Sequence, residues 1–411
     1  MILAQLLKEH PIVVTGVGAH TAAGAATEAL WQQALRGVSS AAWLPGFGLS
    51  GEKPFAGCSS PAPRLDGDAL RIARKMDRSV HLGLAAAMEA RRGARLESAT
   101  AAPARTGVIV GTTRGPVGKW SEAEAQLRSG RMSPSLAASS SLASLSGAVA
   151  VASGARGPCL TIAAACASGA AAIVVAAQQI LTGAADVMIA GGAEAPLNAV
   201  VLAQLRAAGV LGSHTDPART CRPFDVTRNG LVPGEGAAFL VLESLESARG
   251  RGARVLARLA GWALGSDAES RLGSDKDGEE LHRVMHEALV AAGLEPRQVS
   301  CVSTHGTGTV LNDLAEARAI ARLFGPQGVP CSATKPVTGH CLGASAAIEA
   351  VLSVRMLVEQ VIPPTANCVE LDPECAVDLV VEKPRAAPVS AVMSNSSGFW
   401  GNHASVILAA A

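Results

Sequence analysis

Short runs of apolar, often β-branched residues alternate along the chain with longer stretches rich in Ala and Leu. The short runs predict buried strands, because they are too short for typical helices and are bounded by Gly, Pro or polar residues. In the first part of the chain the predicted strands cover 11–18, 106–113, 159–166, 185–194 and 237–244. Helical patterns lie between them at 27–36, 76–92 and 166–183. This alternation indicates an α/β fold with buried central strands.

The same alternation starts again after about residue 250. Predicted strands cover 254–267, 299–306, 329–335 and 389–398, and predicted helices cover 278–293, 313–324 and 342–360. Two halves of similar plan follow one another, and we assign them to residues 1–250 and 251–411. The segments CASGAAAI (166–173) and CLGASAAI (341–348) share four identities in eight positions, each where a loop enters a helix. Ala-rich helices also match by chance, but the placement of these segments supports an internal duplication.

Two stretches interrupt this pattern. Residues 44–68 are rich in Gly, Pro and Ser and look like a surface excursion, and the Ser-rich residues 129–146 are too polar for an ordinary buried strand. We place neither stretch at a domain boundary, because a linker there would leave each half with too few strands.

Composition narrows the class of protein. Hydrophobic residues make up 49% of the 411 residues, but 3% are aromatic and none is Tyr, so Ala, Val, Leu and Ile must fill the core. The formal net charge of +1 gives no overall attraction to nucleic acid or to a membrane surface. No apolar run approaches the roughly 20 residues of a membrane helix, and MILAQLLKEHP lacks the features of a signal peptide. We therefore expect a soluble cytoplasmic protein that binds neither nucleic acid nor a membrane.

The nine cysteines contain no CxxC pair and no zinc-like pattern with spaced histidines, so we expect reduced thiols and no metal site. Cys159, Cys301 and Cys331 lie in predicted strands and are interpreted as packing residues. Cys166 differs because it lies where a strand gives way to a helix, whose unpaired N–H groups and dipole favour a thiolate. A sharp turn at such a junction also projects the side chain outward. Cys166 is therefore either a nucleophile or one more buried thiol.

Two other loops carry groups that could act with a nucleophile. HGTGT, which begins at His305, follows an apolar strand, and its glycines let the backbone approach a ligand closely. A tight turn with a surface histidine is the other interpretation. KPVTGH runs from Lys335 to His340 at another strand-to-helix junction, and Glu349 follows about two helical turns later. No G-x-S-x-G motif is present, which argues against a serine hydrolase.

With these residues assembled, the chain resembles the β-ketoacyl-acyl-carrier-protein synthases of the KAS I/II type. The motifs CASG, HGTGT and K-x-x-x-G-H occur in the order of that family, and the similarity runs from VVTGVG near residue 13 to the end. The resemblance implies a thiolase-like fold: two similar halves, each with a five-stranded mixed sheet, stacked as α-β-α-β-α layers. It also implies a decarboxylative Claisen condensation, in which an acyl chain gains two carbons from malonyl carried on acyl carrier protein.

The resemblance implies a role for each of these residues. Cys166 would hold the acyl group as a thioester, and His305 and His340 would stabilise the enolate formed from malonyl. Lys335 and Glu349 would order the two histidines. The other groups implied to contact substrate are the oxyanion-binding backbone N–H groups of Cys166 and Phe399, and Thr307 and Thr309, which would position the pantetheine arm. No cofactor is implied beyond the phosphopantetheine of the carrier protein.

Three positions depart from the family and bear on the substrate. The closing loop, usually G-F-G-G-x-N, reads GFWGNH here, so Trp400 replaces a small residue beside the gating Phe399. Arg114 stands where fatty-acid enzymes commonly have an apolar residue near the pocket floor, and the stretch around Leu136 is bulkier in many relatives. Together these departures favour a specialised acyl chain, such as a polyene or another polyketide, although drift in a loop explains the same changes.

The resemblance also implies partners. An acidic helix of the carrier protein would dock on cations, for which the candidates are Arg71, Arg74, Lys75, Arg131 and Arg206. A solvated charged face is the other interpretation of these residues. The family usually forms homodimers, but a heterodimer with a chain-length-factor-like subunit stays open, and such subunits usually lack the nucleophile. Thiolase is the nearest enzyme alternative, but it uses a second cysteine and lacks the Lys-His-His arrangement.

Overall fold

The computed structural model describes residues 2–47, 54–96, 102–268 and 275–411. Its strands are β1 Ile12–Thr21, β2 Ala42–Leu44, β3 Phe55–Gly57, β4 Thr106–Gly111, β5 Cys159–Ile162, β6 Val187–Glu194, β7 Gly236–Ser244, β8 Ala257–Ser266, β9 Cys301–Ser303, β10 Pro330–Ser332, β11 Val361–Ile362, β12 Asp378–Leu379, β13 Arg385–Ala386, β14 Ala391–Gly398 and β15 Asn402–Ala409. Its α-helices are α1 Ile2–Glu9, α2 Thr27–Arg36, α3 Gly67–Ala73, α4 Arg78–Gly93, α5 Val117–Arg128, α6 Leu136–Ser139, α7 Ala143–Ser153, α8 Ser168–Leu181, α9 Ala199–Ala207, α10 Leu245–Gly250, α11 Glu279–Ala292, α12 Val310–Phe324, α13 Lys335–Thr338 and α14 Ser345–Glu359. In this described part of the chain, no helix combines the length and apolar character that crossing a membrane requires.

The predicted strands and helices are present, with ends that shift by a few residues. Strand β15, which closes the chain, was not predicted, although almost all of it is buried. The Ser-rich stretch 129–146 folds into α6 and the start of α7, since hydroxyl groups such as Ser140 Oγ bond back to a helical carbonyl. In the stretch 44–68, residues 48–53 lie outside the described residues. The remainder includes β3, which pairs with β2 and buries Phe55.

The strands of the two halves follow the same order. The first half reads β1-β7-β6-β4-β5 across the sheet and the second reads β8-β15-β14-β9-β10, with β12 added at its edge. Numbered by appearance, both orders are first, fifth, fourth, second, third. In each half the first three neighbours pair antiparallel and the remaining ladders are parallel. The predicted pair of similar halves with mixed sheets is therefore confirmed.

A short ladder joins the halves. β1 pairs with β8 over three residues, so the strands of the two halves are hydrogen-bonded into one 11-stranded sheet rather than two separate sheets. The central layer contains α8 and α14, which pack between the two halves' strands in the largest hydrophobic core. A Cβ at Gly169 of α8 would lie 2.8 Å from the backbone nitrogen of Ala347 in α14, so small residues let these helices approach closely. The aromatic-poor composition suits such a core.

Two outer helical layers complete the predicted α-β-α-β-α arrangement. Helices α4 and α7 cover the strands of the first half around Phe239 and Val241. Helices α11 and α12 cover the strands of the second half around Val302 and Met393. Loops at the carboxyl ends of the parallel strands β5, β9 and β10 lead into α8, α12 and α13, and Cys166, His305 and Lys335 lie at these junctions.

Candidate active site

Cys166, His305 and His340 come together in the described structure. The cysteine sulfur and one ring nitrogen of each histidine all lie within 4.8 Å of one another. The two imidazole rings are 5.3 Å apart between centroids and nearly perpendicular, at 83°. All three residues line one cavity of about 340 Å³. A thiol and two imidazoles from both halves of the chain therefore face a shared space.

A strained turn presents Cys166. The preceding Ala165 has a φ of 48°, a left-handed conformation that residues with a side chain rarely adopt. Hydrogen bonds hold the turn: Thr113 Oγ1 donates to the carbonyl of Ala165 at 2.8 Å, and Ser168 Oγ accepts from the Ala164 N–H at 2.9 Å. Helix α8 then begins at Ser168, so the predicted strand-to-helix junction is present.

The closing loop contacts the nucleophile directly. The backbone N–H of Phe399 lies near Cys166 Sγ and favours its thiolate form, which lowers the pKa of the thiol. A Cβ at the neighbouring Gly398 would lie 2.8 Å from the Cys166 nitrogen, so only glycine fits there. The Phe399 amide is thus aimed at the point where a group bound to the sulfur would carry its carbonyl oxygen.

Cys166 rests as a thiol and not as a thiolate. Burial raises the pKa of Cys166 to about 12, although Lys335 and the Phe399 N–H both oppose the shift. The sequence argument from the helix dipole predicted the opposite direction. It failed because the side chain is only 7% exposed, and desolvation of the charged sulfur outweighs the favourable partial charges.

Lys335 sets the proton position on His305. Its Nζ lies 3.2 Å from His305 Nδ1 and also donates to the His305 carbonyl oxygen and to Glu349 Oε1. An ammonium group has three donors and no acceptor, so all three are used and Nδ1 must accept. Burial, with Lys335 adding to it, lowers the pKa of His305 well below its usual value, so the ring is neutral. Its proton therefore lies on Nε2.

His340 has a more adaptable partner. Its Nδ1 lies 2.9 Å from Ser345 Oγ, and a hydroxyl can either donate or accept. Burial, again reinforced by Lys335, lowers the pKa of His340 well below its usual value. Both histidines are thus neutral, but only His340 can carry its proton on either nitrogen.

Buried carboxylates fix the loops around the site, and sequence reasoning missed them. Glu316 accepts hydrogen bonds from the N–H groups of His305 and Gly306 at 2.7 and 2.8 Å. Asp313 does the same for Thr307. Glu194 lies in the segment GGAEA (191–195), which also resembles the β-ketoacyl synthase sequences and could have indicated its importance. Burial raises the pKa of Glu194 to about 7. The other two lie in an ordinary helical pattern that gave no such signal.

The structure separates the predicted substrate-contacting residues into two groups. Thr307, Thr309, Arg114 and Phe399 line the cavity, and the two threonine hydroxyls lie 2.9 Å apart. Leu136 is buried in α6 and does not line the cavity among the described residues, because its stretch folds into helices instead of a pocket wall. Trp400 is also absent from the described lining; it is 64% exposed with a φ of 63°.

The predicted docking cations are dispersed. Arg71 lies in the last turn of α3 and forms an exposed ion pair with Asp68 at 3.0 Å. Arg74, Lys75 and Arg131 are exposed in the segments after α3 and α5. Arg206 lies in α9 beside the cavity-lining Leu205, and its guanidinium stacks over Phe55 at 3.8 Å. Of the five, Arg206 has the clearest connection to the cavity.

The thiol and imidazole groups are also chemically suited to a transition metal. Cysteine sulfur and histidine nitrogen are the ligands that Zn²⁺ prefers, and three of them lie within 4.8 Å of one another. The protein-side partners of these groups, however, are a lysine ammonium and a hydroxyl, whereas metal-binding histidines usually donate to a carboxylate or carbonyl. The absence of a metal therefore stays a prediction.

Comparison with known proteins identifies the family. Residues 9–248 match the Beta-ketoacyl synthase, N-terminal domain, and residues 256–369 match the Beta-ketoacyl synthase, C-terminal domain. The chain belongs to the beta-ketoacyl synthase family. It is 34% identical over 405 residues to 3-oxoacyl-[acyl-carrier-protein] synthase 2 of Staphylococcus aureus strain COL, covering 96% of this chain and 97% of the relative.

Solved structures agree with this beta-ketoacyl synthase assignment and its thiolase-like fold. One describes a type II polyketide synthase acyl-carrier protein in complex with its ketosynthase bound to the hexaketide; the TM-score is 0.89 at 28% identity, covering 98% of this chain and 100% of that one. Another is the ishigamide ketosynthase/chain length factor, with a TM-score of 0.88 at 31% identity, covering 98% and 99%.

This beta-ketoacyl synthase has a further polar chain beneath its closing loop. Ser397 lines the cavity, and its Oγ lies 2.9 Å from Nδ1 of the buried His403. The other ring nitrogen of His403 lies 3.8 Å from Asp267 Oδ2. A Cβ at Gly401 would lie 1.7 Å from Asp267 Oδ1, so the loop can pass this carboxylate only as glycine. The sequence motif GFWGNH includes His403, whereas no motif marks Asp267, which directly follows β8.

Proposed function

We propose that this chain condenses an acyl group held on Cys166 with malonyl-acyl carrier protein to give 3-oxoacyl-acyl carrier protein, in fatty-acid or type II polyketide synthesis. As a beta-ketoacyl synthase it is an acyltransferase-type condensing enzyme. The observation that carries the proposal is the convergence of one thiol and two neutral imidazoles in a single cavity.

The first step transfers the acyl group. The Cys166 sulfur attacks the thioester carbonyl, and its proton leaves with the departing thiol of the carrier arm. Because Cys166 rests as a thiol, a base must receive this proton during the attack. His340 is neutral and can leave its Nε2 unprotonated by donating from Nδ1 to Ser345. Covalent capture divides one difficult carbon–carbon bond formation into two easier steps.

The second step forms the carbon nucleophile. The malonyl thioester loses carbon dioxide, and the electron pair of the broken bond becomes an enolate with its charge on the thioester oxygen. His305 presents a fixed Nε2–H to this oxygen, because Lys335 occupies its other nitrogen. His340 supplies a second donor in its other tautomer. Donors fixed before the charge develops stabilise it without reorganising at that moment.

The third step joins the two carbons. The enolate carbon attacks the acyl carbonyl on Cys166, and the N–H groups of Cys166 and Phe399 hold the resulting oxyanion. Collapse of this intermediate expels the cysteine sulfur, which takes up a proton from solvent; the overall reaction consumes this proton because malonyl loses its carboxylate as carbon dioxide. Thr307 and Thr309 flank the route of the pantetheine arm. Loss of carbon dioxide makes the overall reaction effectively irreversible.

The proposed partners are an acyl carrier protein and a second subunit. Arg206, beside the cavity, is the first candidate for the carrier's acidic surface, with the other four cations as a wider set. Strand β5 pairs with β4 on one side only and leaves Leu160 45% exposed, and such an edge normally needs a cover. We propose a homodimer; a heterodimer is the alternative, supported by the ketosynthase/chain length factor structure.

The chemistry proposed here needs no cofactor beyond the carrier's phosphopantetheine, because no oxidation or reduction takes place and the thioester carbonyl of malonyl accepts the electron pair that carbon dioxide leaves behind. The nine cysteines are all unpaired, which suits a reducing compartment. We propose the cytoplasm as the site of action.

Intact mass spectrometry after incubation with a panel of acyl-carrier thioesters tests the function. We expect one acyl group to load on the wild-type chain and none on Cys166→Ala, with malonyl-dependent product lost in the same variant. Cys159→Ala is the matched control, since it removes a thiol that does not line the cavity and should load normally. Condensation by folded Cys166→Ala would refute the proposal. Native mass spectrometry of the purified chain alone distinguishes a homodimer from a subunit that waits for a different partner.

A further inference from the structure

Arg114 brings an unmatched cation into the acyl-binding cavity. Its side chain lines the same cavity as Cys166. Its Nε is buried without a hydrogen-bond partner, and within the described ranges its guanidinium takes part in no ion pair. By contrast, Arg78 pairs with Glu235 at 2.6 Å, and its Nε donates to the same carboxylate at 2.8 Å. A guanidinium cannot lose its proton, so its buried Nε–H needs an acceptor from elsewhere.

The nearest carboxylate cannot supply that acceptor. Glu194 accepts the backbone N–H of Arg114 at 3.0 Å, and its other bonds come from Thr112 Oγ1 and the N–H groups of Thr113 and Gly343. Both carboxylate oxygens are therefore held by groups other than the guanidinium. The backbone of Arg114 is fixed, while its side-chain donors stay available to whatever enters the cavity.

Arg114 lies close to the residue that would carry the acyl chain. The preceding residue, Thr113, bonds the carbonyl of Ala165 at 2.8 Å, next to the nucleophile. Leu342, Phe399 and other apolar groups make up most of the remaining wall. A methyl-terminated alkyl chain here would leave the guanidinium without an acceptor, at a cost in free energy. A chain that carries an oxygen would satisfy it.

Building on the proposed function, we propose that Arg114 binds an oxygen acceptor on the acyl chain attached to Cys166, and so selects oxygenated acyl groups over plain alkyl groups. The oxygen acceptor is either a ketone along the acyl chain or a carboxylate at its end. A carboxylate would accept two parallel N–H bonds from the planar guanidinium, and a ketone would accept one.

Competitive loading tests the selection. The probes are pantetheine thioesters of equal chain length that carry no oxygen, a ketone at successive carbons, or a terminal carboxylate, and intact mass spectrometry reports the acyl group on Cys166. We expect at least one oxygenated probe to load about tenfold faster than the alkyl probe, since a hydrogen bond to a charged group is worth roughly a factor of ten. Arg114→Met should abolish this ratio and Arg114→Lys should keep part of it.

The outcomes separate the two proposals. Loading with the same ratio in wild type and Arg114→Met overturns the role of Arg114 and leaves the condensing function intact. Failure of every probe to load on Cys166 overturns both. A ketone preference and a carboxylate preference each support the inference and identify the acceptor. Thermal unfolding checks that the variants fold. If Arg114→Met does not fold, the comparison of wild type with Arg114→Lys still tests the role of Arg114.

Discussion

The resting thiol of Cys166 leads to a measurable reactivity. Burial raises its pKa to about 12, so at pH 7 its thiolate fraction is on the order of 10⁻⁵, against a few per cent for an ordinary thiol of pKa about 8.5. A thiolate of higher pKa is intrinsically more nucleophilic, and this raises the alkylation rate again by between one and two orders of magnitude. We expect Cys166 to react with iodoacetamide about a hundredfold more slowly than an exposed thiol near neutral pH.

The pH dependence gives the sharper test. Below its pKa the thiolate fraction rises about tenfold for each pH unit, so the alkylation rate of Cys166 should keep rising from about pH 6 to about pH 10 without levelling. Timed alkylation followed by peptide mass spectrometry measures this rate, with a free small-molecule thiol of ordinary pKa in the same tube as the reference. A rate that levels off below about pH 9 would mean a pKa no higher than that of an ordinary thiol and would refute the argument from burial.

Three further predictions concern the surroundings of the thiol. Glu349→Gln should lower the free energy of unfolding by about 3–5 kcal/mol in chemical denaturation, because it leaves Lys335 buried without its ion-pair partner; an unchanged midpoint would contradict this. Zn²⁺ should inhibit reversibly by binding the thiol and imidazoles, while a chelator alone leaves condensation unchanged; activity lost to the chelator would contradict the metal-free prediction. Gly398→Ala should abolish acyl loading with little change in melting temperature, since its Cβ would displace the Cys166 backbone, and normal loading would show that the loop can yield.

The arrangement of the halves could be predicted because its signals are local. Strand runs such as 237–244 and helices such as 27–36 depend on short-range patterns, and the structure places β7 and α2 there. β15 was not predicted, because its first residues belong to the loop motif GFWGNH and its apolar run is short and rich in Ala. Cys159 was interpreted as a packing residue from its place in a strand, but that strand lies at the sheet edge and leaves it exposed. Cys301 and Cys331 lie on inner strands and are buried as predicted.

Sequence motifs predict which residues form the site but not how those residues are protonated. Cys166, His305 and His340 belong to recognisable segments, and the structure brings them together. Their protonation could not be foreseen, because it depends on burial and on partners such as Ser345 whose role no motif records. The same holds for Asp267, which reaches His403 across a β-ladder between β8 and β15.

The proton on His305 depends on how the HGTGT loop satisfies its own backbone. Glu316 is buried and could in principle compete for Lys335, but it accepts the N–H groups of His305 and Gly306 instead. These amides stabilise the carboxylate without using the only nearby ammonium group among the described residues, so Lys335 stays available to Glu349 and to His305 Nδ1. If Lys335 turned to Glu316, His305 would lose the donor that keeps its proton on Nε2. The donor aimed at the enolate is therefore a consequence of loop folding, and loosening the loop should impair catalysis before it impairs binding.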